Sequence, residues 1–339
     1  MLVVVALLGA CSGDDGGVTA TGADAGSGVS AMLALLPPSE PIDGTPLVVA
    51  YGDLDAATDL AGASRPDDVT DVDGYADWVM EINTGGDVAT LLPQTAQPRS
   101  ADDLAAVADE LGVSLLDVDR FVELQMPPST LAVFVGDAGS DELESALGAP
   151  VDGILSAGDG DDFEFSPDAI TAARPIGAPL RLASRDGAIA IGTSTPLVQA
   201  WLAGTPTLAD DTVLAGLASR LDASTVYAAT LVRWSAAGSD PTTFDAIGAG
   251  LALDDDGALG VIVYHYADDA TASGAVATLE TVLAGDSAVS DDPWSEYFPS
   301  WEVAADGPFV TVRLRVADGR ADVLWRALNS ADTLFARQG

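Results

Sequence analysis

The chain has no lysine; all 13 of its basic residues are arginine. This excludes Schiff-base chemistry and a phosphate-binding P-loop, both of which need a lysine amine. A single cysteine excludes an internal disulfide and any multi-cysteine zinc or iron–sulfur site. Positive charge is also scarce: 13 basic residues against 53 acidic ones leave a net charge of −40. Such a surface repels nucleic acid, whose phosphates are bound by clustered basic side chains, and it disfavours direct adsorption to an anionic membrane. The acidic residues are mostly aspartate and sit in Asp/Gly turns, where the short carboxylate bonds nearby backbone N–H groups. What is plentiful is apolar: 48% of 339 residues are hydrophobic, enough for one large core or two ordinary ones.

The first ten residues, MLVVVALLGA, are too short to span a bilayer and have the size of a signal-peptide core. Leu8-Gly9-Ala10-Cys11 resembles the lipobox of bacterial lipoproteins, in which the signal peptidase cuts before the cysteine and the cysteine carries the lipid. The resemblance implies lipid attachment at Cys11 and a location on the extracytoplasmic face of the cell membrane. No basic residue precedes the apolar run, as expected if the start codon lies further upstream. Residues 11–30 read as a Gly/Ser/Asp/Thr tether with nothing to bury.

Beyond the tether the chain alternates β-like and helical runs. Strands are predicted at Leu47–Tyr51, Thr130–Gly136, Leu180–Ser184, Ala188–Gly192, Val226–Arg233, Leu259–Tyr266 and Phe309–Val316. Helices are predicted at Ala101–Leu111, Leu115–Leu124, Asp141–Leu147, Pro196–Ala203, Thr207–Leu221, Ala270–Ala284 and Ala321–Phe335. Ala272, Ala275, Leu279 and Val282 form one buried stripe on the sixth of these. Ser100 with Asp103 and Ser114 with Asp117 resemble capping boxes. The pair Ala101–Leu111 and Leu115–Leu124 mimics a helix-turn-helix, but Arg120 alone among acids cannot read DNA, so the expectation is a packing αα-hairpin.

Repeated strings divide the body. LLPPSEPIDGTPLVVAYGD is echoed by QMPPSTLAVFVGD, and LRLASRDGAIAIG by WEVAADGPFVTVRL; each member of the second pair precedes a helix bearing a tryptophan, Trp201 or Trp325. Two related halves, about Pro38–Gly204 and Asp210–Gln338, place domains at residues 31–204 and 205–339. Tight Asp-Gly turns demand antiparallel neighbours, so the expected class is α+β: antiparallel sheets with layered helices in two loosely repeated halves.

Chemistry-bearing clusters are few. His265, the single histidine, shares a strand face with Val261 and Val263, opposite Ile262, Tyr264 and Tyr266, and reads as a packed or edge-strand residue. There is no G-x-S-x-G elbow for a serine hydrolase. Acidic turns at Asp159/Asp161/Asp162, Asp254–Asp256, Asp67/Asp68/Asp71/Asp73 and Asp291/Asp292 have no EF-hand spacing and read as solvated turns. Trp294, Tyr297, Phe298 and Trp301 crowd the segment DDPWSEYFPSW and form the candidate contact surface, with a loop plugging a sheet end as the plainer reading.

The Pro-Pro-Ser–strand–Gly-Asp units make the body similar to envelope lipoproteins of GC-rich Gram-positive bacteria, a resemblance that implies no activity, cofactor or functional residue. With no nucleophile–base pair, cofactor fingerprint or metal motif, the expected role is non-catalytic binding or scaffolding on the membrane, with an unidentified protein or small-molecule partner, no nucleic acid and no cofactor. One alternative is a carrier of a small hydrophobic or glycan ligand, held between the halves or against Trp294–Trp301. The other is a carboxylate-dependent hydrolase.

Overall fold

The structure, a computed structural model, describes residues 27–42, 44–84, 86–235 and 243–337. Cys11 and most of the tether lie outside the described residues. In chain order the elements are α1 (Val29–Leu33), β1 (Leu47–Asp53), α2 (Leu54–Ala61), α3 (Val72–Thr84), α4 (Leu104–Leu111), β2 (Val118–Met126), β3 (Ser129–Gly136), α5 (Ser140–Leu147), β4 (Leu155–Ala157), β5 (Leu180–Arg185) and β6 (Ala188–Gly192). Then follow α6 (Thr195–Ala203), α7 (Thr212–Asp222), β7 (Ala228–Arg233), β8 (Ala246–Asp254), β9 (Gly257–His265), α8 (Asp269–Leu283), α9 (Trp294–Tyr297), β10 (Ser300–Asp306), β11 (Phe309–Arg315) and α10 (Val323–Asn329). The protein is α+β: the strands form one antiparallel sheet of order β10-β11-β9-β8-β7-β1-β2-β3-β6-β5-β4, with helices on both faces.

The order contains its own repeat. Reading outward from the central β1/β7 pair gives β1-β2-β3-β6-β5 one way and β7-β8-β9-β11-β10 the other. Both stretches therefore belong to one continuous sheet. The helices before the central strands, α1 and α7, lie on the same face and pack together. The Asp222 carboxylate, at the end of α7, accepts from the Val29 and Ser30 N–H groups at 2.7 and 3.0 Å. The repeat breaks at its last helix: α6 buries Val198 and Trp201 against the face shared with α1 and α7, whereas α10 buries Leu324 and Trp325 against the opposite face.

Period-two alternation sorts the side chains. In β1, Leu47, Val49 and Tyr51 face α1 and α7, while Val48 and Ala50 face the other core. The β5–β6 hairpin turns at Asp186-Gly187, both with positive φ (53° and 76°), the pattern of a type I′ turn whose twist matches the strands.

Three expectations are corrected. Leu115–Leu124 is not a helix: the Ser114/Asp117 capping box closes a single 3-10 turn, and the chain then enters β2, so there is no αα-hairpin. Pairing with β1 and β3 on either side overrides local helix preference. Ser100 makes no cap; its hydroxyl donates to the Asp103 carboxylate at 3.0 Å. The helix expected over Ala321–Phe335 stops at Asn329, because Ala331 turns left-handed (φ 48°) and Asp332 takes up backbone and side-chain donors instead. Strand β8, AIGAGLALD, was not expected: its small residues look unlike a strand but let α7 lie close, with Leu221 Cδ1 only 3.1 Å from where a Gly248 Cβ would stand.

Candidate functional site

One sheet face of the second stretch carries a group of aromatic side chains. Alternation along β9 sends Ile262, Tyr264 and, just past the strand, Tyr266 to the face opposite Val261, Val263 and His265, as the sequence predicts. Phe244, entering β8, stands among them with ring centroids 5.3 Å from Tyr264, 6.4 Å from Tyr266 and 5.7 Å from Trp234, all edge-on. Such a group forms a stiff apolar wall, because edge-to-face contacts fix ring orientations.

Helix α8 faces this wall. Its Ala272–Ala275–Leu279–Val282 stripe packs on the core, as the spacing predicts. Beside the stripe stand Ala270, Thr271, Gly274 and Thr278, too short to meet the rings. The third side is the irregular segment left by the early end of α10: Thr333, Leu334 and Ala336. Between the three lies a cleft of about 490 Å³, within the usual range for a small-molecule site.

Among the described residues the cleft lining includes no charged side chain. Its polar groups are four threonines and two phenols. Tyr264 Oη donates to the Leu334 carbonyl at 2.8 Å, fixing the third wall to the first. The Tyr266 side chain is buried, yet its hydroxyl has no hydrogen-bond partner among the described residues. Burial pushes the Tyr266 phenol up to about 12, and burial followed by the neighbouring Tyr266 holds Tyr264 higher still. Both therefore remain neutral donors at physiological pH. The cleft can bind and orient an apolar molecule, and among the described residues its lining supplies no carboxylate pair, imidazole or thiol.

Two other hollows include charged side chains in their lining. One of about 560 Å³ lies where β1 and β7 meet and is lined by Asp53, Asp59 and Asp222, among others. Burial raises the Asp53 carboxyl above its ordinary range, although the carboxylate also caps α2 through the Ala56 N–H at 2.8 Å. Another, of about 450 Å³, lies between α9 and α10 and includes Trp294, Tyr297, Arg326 and Asp332.

The candidate contact surface is divided by the fold. Trp294 and Phe298 are buried and stacked on each other at 5.6 Å, and Trp294 Nε1 donates to Thr333 Oγ1 at 3.2 Å. Tyr297 is half-buried; its hydroxyl donates to Asp292 at 2.6 Å, and the Arg320 guanidinium lies 5.9 Å from its ring. Trp301 is half-buried on edge strand β10. His265 Nδ1 lies 2.5 Å from Asp245 Oδ1, and its ring rests on Phe309.

The acidic turns have local partners. Asp162 accepts from Thr195 N–H, Thr195 Oγ1 and Arg181 Nε; burial raises its carboxyl, but these bonds outweigh it and hold it below the usual range. Arg315 grips Asp254 with two N–H groups, at 2.8 and 2.9 Å. Among the described residues no group of three or more acidic, histidine or cysteine side chains is arranged to hold a metal ion. Among the same residues no helix is long and apolar enough to cross a membrane.

The cleft is not legible in the sequence. Its signals are present, in Tyr-His-Tyr at a strand end and a helix of Ala, Gly and Thr, but the wall needs Phe244, whose strand was not recognised.

No protein-family model matches the chain, and none of the curated proteins matches it. Among solved structures it is similar to crystal form III of TP0453, at 8% identity and a TM-score of 0.40, over 87% of this chain and 98% of that one. It is also similar to crystal form I of TP0453, at 8% identity and a TM-score of 0.37, over 86% of this chain and 94% of that one.

Proposed function

We propose that this protein is a non-catalytic carrier of a small apolar ligand, tethered by a lipid on Cys11 to the extracytoplasmic face of the membrane. One observation carries the ligand reading: a cleft of about 490 Å³ walled by Phe244, Tyr264 and Tyr266 and roofed by the short side chains of α8. Gly274 leaves open space there, since a Cβ added to it meets nothing within 4 Å. Leaving about this much apolar wall open to water costs stability, so an occupant that covers it is stabilising. The lipobox at Cys11 and the tether after it carry the location, and the scarcity of basic residues leaves the acyl chain as the means of membrane attachment.

The test is native mass spectrometry of the full chain purified from an envelope fraction, followed by titration with diphenylhexatriene. A bound mass released on denaturation, and saturable probe fluorescence that Gly274→Leu abolishes, are the expected results. An empty protein that binds no hydrocarbon probe overturns the carrier reading. A polypeptide mass without an acyl increment overturns the anchor.

A further inference from the structure

Two tyrosines line the cleft, and they differ in one respect. Tyr264 spends its hydroxyl on the Leu334 carbonyl, as a structural tie between two walls. Tyr266, equally committed to the core by its ring, has no partner for its hydroxyl among the described residues. A phenol at the edge of an apolar space without an acceptor is costly unless something satisfies it, water in the empty cleft or a ligand atom in the filled one. A ligand that displaces the water must supply an acceptor there, or affinity is lost.

Charge narrows the class further. No cation lines the cleft among the described residues, and the chain around it carries a net charge of −40. A carboxylate or phosphate headgroup would be desolvated there with no cation in the lining and against the field of the whole molecule. Resting on the carrier reading above, we propose that the cleft selects uncharged lipid-like molecules bearing a carbonyl or hydroxyl oxygen, and that Tyr266 is the specificity residue that donates to it. The phenol suits this role because burial pushes it up to about 12, so it donates throughout the physiological range.

Three fluorescent probes of the full chain separate the possibilities: diphenylhexatriene, a hydrocarbon with no acceptor; methyl parinarate, a neutral ester; and parinarate, the corresponding carboxylate. The ester binds at least about ten-fold tighter than the carboxylate at neutral pH, reflecting the missing counter-charge. Tyr266→Phe weakens the ester about five- to ten-fold, one neutral hydrogen bond, and leaves the hydrocarbon unchanged. Equal binding of ester and carboxylate overturns the selection for neutral ligands. Ester affinity unchanged by Tyr266→Phe, with hydrocarbon binding intact, overturns the role of Tyr266 while the carrier reading stands. Loss of all three probes in wild type overturns the carrier reading itself. Tyr264→Phe is the control: it breaks a wall tie, so it weakens ester and hydrocarbon alike.

Discussion

The two stretches of the sheet share one strand order but are covered differently, and the difference locates the cleft. Between β1 and β2 the first stretch inserts α2, α3 and α4, which bring Trp78, Ile82, Leu104, Val107 and Leu111 onto Phe121 and Phe134. That face is filled with large side chains. Among the described residues, the same face of the second stretch is covered by α8, α9, α10 and the irregular segment after α10. A helix presenting Ala, Gly and Thr towards tyrosine and phenylalanine cannot fill the space that Trp78 fills on the other side. A duplicated frame therefore becomes asymmetric through what is laid over it: one copy is packed for stability and the other is left with room.

The largest test of that contrast is Trp78→Ala. The side chain is buried, its Nε1 donates to Thr58 Oγ1 at 2.9 Å, and Arg65 lies over its ring. Truncation should cost about 3–5 kcal/mol in urea unfolding. Phe244→Ala, beside an existing void, should cost visibly less; equal costs would mean the two faces are packed alike. Glu123→Ala comes next. This fully buried carboxylate on β2 accepts from Gln94 N–H, Thr95 N–H and Thr95 Oγ1 at 2.6–2.9 Å, pinning the loop between α3 and α4. Stranding those donors should cost about 3 kcal/mol, read by the same unfolding curve. A loss within 0.5 kcal/mol, roughly the scatter of neutral surface changes, would show that the loop is not held there.

A smaller effect has the opposite sign. Gly274 lies on α8 beside the cleft, and a Cβ added to it meets nothing within 4 Å. Gly274→Leu should stabilise the protein by about 1 kcal/mol through helix propensity while abolishing probe binding. A fall in stability would mean the space beside α8 is already filled.

Sequence periodicity reported what depends on short range. The hairpin strands, α5 to α8, the type I′ turn and the faces of Val261–Tyr266 follow from alternation, spacing and Asp-Gly turns, and the α+β class with its repeat followed from them. What escaped depends on distant partners. The run VDRFVELQM is a strand because β1 and β3 flank it, and AIGAGLALD is one because α7 needs its small residues. Without those strands, neither the buried Glu123 nor the Phe244 wall could be placed. The aromatic density of DDPWSEYFPSW was visible, but density does not say which rings turn inward; Trp294 and Phe298 do because α10 and Thr333 close over them.

The smallest predicted effect concerns the segment that makes the third wall of the cleft. Asp332 accepts from Ser287 Oγ at 2.5 Å, Ala288 N–H at 2.9 Å and Thr333 N–H at 2.6 Å, tying residues 287–288 to the segment that carries Thr333 and Leu334. Burial raises its carboxyl, but the Ser287 hydroxyl and the backbone N–H groups outweigh it, and its folded pKa lies below the ordinary value. A depressed folded pKa means the charged form is favoured by folding. Its contribution is therefore complete above the unfolded value near 3.9 and is lost as pH falls through the lower folded value. Asp332→Asn keeps one acceptor and removes the charge, so it should cost about 0.5–1 kcal/mol at neutral pH and nothing once the wild-type carboxyl is protonated. Unfolding curves of the two proteins should thus converge on acidification, and they should do so without any change in the packed face around Trp78. Parallel curves would assign the wall to the Tyr264–Leu334 tie alone. Convergence would show that one side of the cleft is held by a carboxylate, in a wall weaker than the helices that fill the opposite half.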